Sequence, residues 1–394
     1  MDSQQLCFIK DGGLPRLKWE YEKERTGWED LLAFGTADMD VACPRPILDT
    51  LQKVLEKGHL GYPMTPNKYY DAIHNWFLRH CNWDIDTRCT VGQNVGIYCS
   101  AQSILNILTQ PGDRVTILTP VHFCFKRQIN LNGRVAIECP LVCVNGRYEI
   151  DFNALEACLQ SRCKLLWLCN PHNPVGRAWT REELQKVADI CMRYDVYILS
   201  DDVYCGLLFP SASYTPIASL SKEISSRAVT MYSTSKSYNT TGLRHSFIVT
   251  ENPEILKRYR EELDRQDLGY GQNSLGIAAV IAAYNECDPW LKSLMEQIAK
   301  SHKTVTDFCT TFLPGATVTK ADATYFAWID MRALRIPPQQ LTYLLEQETH
   351  IVVENGLGLG KGGAGFIRMN LAISPEQLSE GLDRLKGFWQ RHLP

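Results

Sequence analysis

The chain has 394 residues, 45% of them hydrophobic and 22% charged, which is ordinary for a globular enzyme and long enough for two domains around a shared cleft. Its net charge of −3 gives no electrostatic reason for a nucleic-acid partner or an anionic membrane, and no run is long and apolar enough to span a bilayer. Met1 to Asp11 lacks a basic stretch followed by an apolar one, so no secretory signal is read there and the cytoplasm is the expected compartment. The fifteen cysteines fall mostly singly, as at Cys99, Cys169, Cys191 and Cys309; Cys139 and Cys143 find no second pair to complete a zinc site, so reduced thiols and no metal are expected.

In chain order, the first 45 residues show little periodicity and read as an extended segment. Ile47, Leu48, Leu51, Val54 and Leu55 recur at helical spacing, with Gly58 placed to stop the helix. Tyr69, Ile73, Trp76 and Phe77 predict a second helix. From Cys89 to Val249 short apolar runs alternate with amphipathic stretches. Arg114–Leu118, Lys164–Cys169, Val196–Leu199 and Ala228–Tyr232 read as buried strands, and Thr180–Tyr194 as a helix whose Thr180 and Glu183 form a capping box. Strands joined by helical crossovers predict an α/β fold, with a mainly parallel sheet covered on both faces. After Pro253 come long helices to about Leu313. Strands at Tyr325–Ile329 and Gly365–Leu371 then alternate with helices at Pro338–Glu348 and Pro375–Arg391. These patterns predict an N-terminal segment (1–46) joining a smaller C-terminal α/β domain (291–394), with a large domain between (47–290) and a rigid joint.

Four segments carry chemistry, each read at or near a strand end, where open α/β sheets bind ligands. Ser233-Thr234-Ser235-Lys236 places a lysine in a small polar loop, where burial would leave its amine neutral and nucleophilic. Ser233 and, eight residues past the lysine, Arg244 are suited to a phosphate. Asn170-Pro171-His172-Asn173-Pro174 is a stiff turn that would fix the Asn173 amide near a phenolic oxygen. Ser200-Asp201-Asp202-Val203-Tyr204 offers a carboxylate for a protonated ring nitrogen and a hydroxyl for the ring oxygen. Thr90-Val91-Gly92-Gln93-Asn94-Val95-Gly96-Ile97 opens a helix and would take an anion, without the glycine spacing of a dinucleotide or Walker loop. Each alone has a plain structural explanation as a turn or cap.

Taken in chain order, the Thr90–Ile97 segment, the Asn-Pro turn, Asp201-x-x-Tyr204, Ser233-x-Ser235-Lys236 and Arg244 together resemble the fold-type I aminotransferase superfamily of pyridoxal-phosphate enzymes. Within it the chain is similar to the branch of cystathionine β-lyases and the maltose-regulon modulator. The likeness runs from about Trp19 to Arg391, through Thr36-Ala37-Asp38-Met39-Asp40, Gly61-Tyr62, Tyr325-Phe326-Ala327-Trp328 and Gly365-Phe366-Ile367-Arg368. The resemblance implies pyridoxal 5'-phosphate held by Lys236 as a Schiff base, with Lys236 then shuttling the α-proton. It implies Asp201 at the pyridine nitrogen, Tyr204 and Asn173 at the ring oxygen, and Gln93, Asn94, Ser233 and Arg244 at the phosphate. Tyr62 would reach that phosphate from the neighbouring subunit of a homodimer. Arg368 would clamp the substrate carboxylate, helped by Asn173 and the backbone near Ala37.

Three departures bear on the reaction. The lyase branch usually has His where this chain has Tyr204, and often lacks an arginine at the position of Arg244; both features are more like aminotransferases. Where the family stacks an aromatic ring on the cofactor this chain offers His122, which can stack and can also carry a proton. The expectation is therefore elimination of the carbon–sulfur β-lyase type on a small L-amino acid, through an external aldimine and α-proton removal. The alternatives are transamination, a replacement or cyclisation on the same scaffold, or a regulatory binding protein.

Overall fold

The computed structural model describes residues 6–9, 12–269 and 273–393. A seven-stranded sheet forms its centre, in the spatial order Val91–Asn94, Ser246–Val249, Ala228–Tyr232, Tyr197–Asp201, Cys163–Cys169, Arg114–Thr119, Val135–Pro140. All neighbours run parallel except Ser246–Val249, which is antiparallel to both of its partners. The Cys163–Cys169 strand shows why such a sheet needs cover on both sides. Leu166 and Leu168 enter one apolar core, while Leu165, Trp167 and Cys169 enter the other.

Helices Arg181–Arg193 and Asn67–Cys81 close the first core; Ile97–Leu108, Cys124–Leu131 and Pro253–Arg265 close the second. Tyr69, Ala72, Ile73, Trp76 and Phe77 are buried along one stripe of Asn67–Cys81, the period an amphipathic helix requires. The helix Arg181–Arg193 carries the expected capping box between Thr180 and Glu183. Gly58 has a left-handed φ of 66°, one residue past the cap of Arg45–Glu56.

A second, antiparallel sheet has the order Thr317–Val318, Phe326–Asp330, Phe366–Asn370, Glu354–Asn355. Helices Asp288–Phe312, Pro338–Thr349 and Pro375–His392 belong to the same stretch of chain. The N-terminal segment joins it: Leu32–Ala33 pairs in parallel with Ile351–Val352. That segment is not wholly extended, since Glu20–Thr26 is a helix, though it buries no residue.

The segment Thr90–Ile97, expected as one loop, also differs. Val91–Asn94 is a strand at the sheet's edge, fully buried and held by the antiparallel partner Ser246–Val249. Only Val95 and Gly96 separate it from the helix Ile97–Leu108. Parallel register brings the remaining expected segments side by side, because Cys169 lies opposite Asp201 and Asp201 opposite Met231. Asn170–Asn173, Asp201–Tyr204 and Ser233–Lys236 therefore leave three adjacent strands at one edge of the sheet.

Candidate active site

Those strand ends surround a cavity of about 210 Å³, lined by Ala37, Tyr98, His122, Asn173, Asp201, Tyr204, Lys236 and Arg244 among others. Lys236 stands on a short helical turn, Thr234–Ser237, whose first N–H groups include that of Ser235, donated to Ser233 Oγ. Its Nζ donates to the Ala37 carbonyl at 2.7 Å. Burial brings the amine down from its ordinary value to about 8; Asp38 and Asp201 oppose the fall and Arg368 adds to it. An amine so placed is neutral in an appreciable fraction near neutrality.

Asp201 is buried, and its carboxyl accepts only the Val203 N–H at 3.3 Å among the described residues. Burial raises it to about 7, with that bond and Lys236 pulling back. Its neighbour Asp202 points away, hydrogen-bonded by Ser200 and Tyr214, and is raised to about 8 by burial. Adjacent carboxyls thus have different surroundings: one sealed in hydroxyls, the other facing the cavity.

Asn173 donates through Nδ2 to the Tyr204 hydroxyl at 3.5 Å and accepts from Arg368 Nη1 at 3.0 Å. Arg368, almost wholly buried, also donates through Nη2 to the Gly35 carbonyl at 2.9 Å and to Glu354 Oε2 at 3.2 Å. Its Nε is buried without an acceptor, and Arg368 is not among the residues lining the cavity, to which it is joined through Asn173. Tyr325 donates to the Ala37 carbonyl at 3.2 Å, so the second sheet and Lys236 grip the same backbone oxygen.

His122 faces the cavity with Nδ1 2.8 Å from the Tyr98 hydroxyl. Burial, aided by Arg368 and Lys236, lowers the imidazole to about 3. Burial thus favours the neutral ring.

Three expected contacts differ in the structure, those of Gln93, Asn94 and Ser233, whereas Tyr62 is expected to act on the neighbouring subunit. Gln93 and Asn94 do not line the cavity: Gln93 Nε2 donates to Thr65 Oγ1 at 2.9 Å, and Asn94 Nδ2 donates to Tyr259 at 2.9 Å. Both lie in the edge strand, so their side chains are spent within the fold. The cavity is met instead by Gly96, Ile97 and Tyr98, a position the glycine directly before the apolar helix could have marked. Ser233 lines the cavity but donates its one hydroxyl hydrogen to the His245 carbonyl at 2.7 Å, which makes it a brace for the lysine turn. Tyr62 is 85% exposed and outside the cavity of its own chain.

Residues 31–385 match the family model for class I and II aminotransferases. The chain belongs to that family. It is 34% identical over 377 residues to the cystathionine beta-lyase PatB of Bacillus subtilis, covering 95% of this chain and 96% of the relative. It is 29% identical to protein MalY of Escherichia coli, with 93% of each chain covered. The crystal structure of cystalysin from Treponema denticola, which contains a pyridoxal 5'-phosphate cofactor, superposes with a TM-score of 0.94 at 31% identity and 98% coverage of each chain. Family and fold class agree with the sequence.

The residues present fit that cofactor. The helix Ile97–Leu108 begins at Gly96 with no side-chain cap, so its first N–H groups await an external acceptor. The Arg244 guanidinium lies close enough to Gly96 that a Cβ there would stand 3.7 Å from Nε. An anion cradle, an acid and an amine of depressed basicity thus share one cavity.

Proposed function

We propose that the chain is a pyridoxal-phosphate-dependent lyase that removes the α-proton of a small L-amino acid and expels a sulfur group from its β-carbon. The observation that carries this reading is the pairing of Lys236 and Asp201 in one cavity, their basicities shifted towards each other. Whole-length likeness to a cystathionine beta-lyase supports the choice of reaction.

Lys236 would hold the cofactor, with Asp201 at its ring nitrogen and Tyr204 and Asn173 at its ring oxygen. Arg244 and the N–H groups that open Ile97–Leu108 would hold its phosphate, and His122 would cover its ring. Bound there, pyridoxal phosphate supplies an electron sink for the charge left at the substrate's α-carbon. Arg368 binds the α-carboxylate through its free Nε, and Asn173 fixes the guanidinium plane. Lys236 Nζ takes the α-proton, since an amine near pKa 8 is a competent base at neutral pH. The aromatic and apolar lining excludes water and strengthens these contacts.

Incubation with L-cystathionine and no keto acid tests the reading, with release of pyruvate and ammonia expected. Product that forms only when a keto acid is added would make the chain an aminotransferase instead, the second reading that Tyr204 and Arg244 favour.

A homodimer in the cytoplasm belongs to the same proposal. Among the described residues no helix is long and apolar enough to cross a membrane. Leu60, Tyr62 and Met64 are 61%, 85% and 88% exposed, an apolar strip that a second copy would cover. Such a copy would also bring its own Tyr62 towards this cavity. Light scattering after gel filtration tests the state, and a monomer would remove Tyr62 from the site.

A further inference from the structure

Arg368 and Glu354 are direct cross-strand partners in the second sheet, so their side chains leave the same face. Glu354 Oε2 accepts from Arg368 Nη2 at 3.2 Å; its other oxygen accepts no hydrogen bond among the described residues. The Glu354 side chain is one-quarter exposed, whereas that of Arg368 is 1% exposed. Nearby, His122 is neutral, Tyr98 keeps its phenolic proton, and burial raises the Cys124 thiol; Glu354 is near enough to push that thiol the same way, while Arg127, exposed to solvent, pulls it down.

The charge count changes when an amino acid binds. In the free site Glu354 is compensated by Arg368. A substrate α-carboxylate on the same guanidinium puts two anions against the one buried cation, since Arg127, the other cation near Cys124, is solvent-exposed and screened; that is costly. A side chain ending in a cation removes the imbalance; a neutral one leaves it, and an acidic one worsens it.

We propose that Glu354 selects substrates whose side chain ends in a cation, by offering that cation the carboxylate which the substrate's own α-carboxylate displaces from Arg368. The class is a basic, sulfur-bearing L-amino acid. This rests on Arg368 being the α-carboxylate clamp of the proposed lyase.

S-(2-aminoethyl)-L-cysteine and S-propyl-L-cysteine test it, having the same number of heavy atoms and the same leaving sulfur but differing in charge. Pyruvate release is measured for wild-type holoenzyme and for Glu354→Gln, which keeps an oxygen for Arg368 and loses only the charge. Calorimetric binding of L-ornithine and L-norleucine, a second such pair, gives the answer without any cleavage. The wild type is expected to favour the cationic member of each pair by about tenfold, the scale of one charge-assisted contact. Glu354→Gln brings the ratio close to one, by weakening the cationic ligand and by relieving the neutral one of the uncompensated anion. A wild type with no such preference, whatever the variant does, overturns the proposal, as does a preference that persists in Glu354→Gln. Arg368→Ala separates the two layers: if it leaves norleucine affinity unchanged, the clamp is wrong and the selectivity model falls with it. If it weakens norleucine while Glu354→Gln changes nothing, the clamp stands and only the selectivity is lost.

Discussion

The Tyr98 hydroxyl lies 2.8 Å from Nδ1 of His122, and the two rings are within 11° of parallel. Burial keeps the phenol protonated and the imidazole neutral. An imidazole nitrogen is a stronger acceptor than the neighbouring Cys124 thiol, so Tyr98 donates to Nδ1 and the ring's own hydrogen sits on Nε2. Nitrogen NMR of histidine-labelled protein should show His122 as the Nε2–H tautomer, without titration between about pH 5 and 8. Tyr98→Phe should give a mixture of tautomers. A wild-type His122 that titrates with a midpoint near its ordinary value would contradict this.

Capture of free pyridoxal phosphate by the apoprotein depends on neutral Lys236. The capture rate, followed by stopped-flow absorbance, should climb as pH rises to about 8 and level off beyond it. Lys236→Ala should lose the visible absorbance band and reduce turnover by about 10²–10⁴-fold, the usual weight of a positioned acid–base group. A rate independent of pH between 6 and 9 would show that Nζ is not the captor.

Arg368→Ala removes the free Nε together with the bonds to Asn173, Gly35 and Glu354. KM for the amino acid should rise about 10–100-fold, as expected for one or two charge-assisted hydrogen bonds, while bound cofactor stays near one per chain. Loss of cofactor with KM unchanged would reassign the arginine.

Acid should destabilise the apoprotein before its surface carboxylates titrate. Burial lowers His122 to about 3 and His172, His245 and His302 to about 4, so the unfolded chain takes up four protons that the native state refuses below the ordinary histidine value. Stability therefore falls as pH drops through that window. Asp201 and Asp202, raised to about 7 and 8, act oppositely, because the native state holds two protons that the unfolded chain gives up. The net of two protons near pH 5 sets a slope of at most about 3 kcal/mol per pH unit. Urea midpoints between pH 7 and 5 measure it; a flat profile would mean that these rings are solvated.

Much of this was legible because local chemistry fixes it. The Thr180–Glu183 cap, the apolar strands and the Asn-Pro turn each announce a backbone state within a few residues, and parallel pairing then gathers Asn173, Asp201 and Lys236. What was illegible depends on contacts distant in sequence. Val91-Gly92-Gln93-Asn94 has little strand propensity, and becomes a strand only because Ser246–Val249 lies beside it. Gln93 and Asn94 therefore looked like loop donors. Glu20–Thr26 buries nothing, so no apolar period betrays it. Glu354 sits on a two-residue strand whose importance comes from pairing with Arg368.

One backbone oxygen, that of Ala37, accepts from both Lys236 and Tyr325. Whatever engages the lysine amine withdraws one of the two ties on that oxygen of the amino-terminal strap, while Arg368 still holds the Gly35 carbonyl and Asn370 those of Thr36 and Asp38. Occupancy and strap mobility are then thermodynamically coupled, so amide exchange around residues 35–40 should quicken on loading unless the incoming molecule supplies a tie of its own.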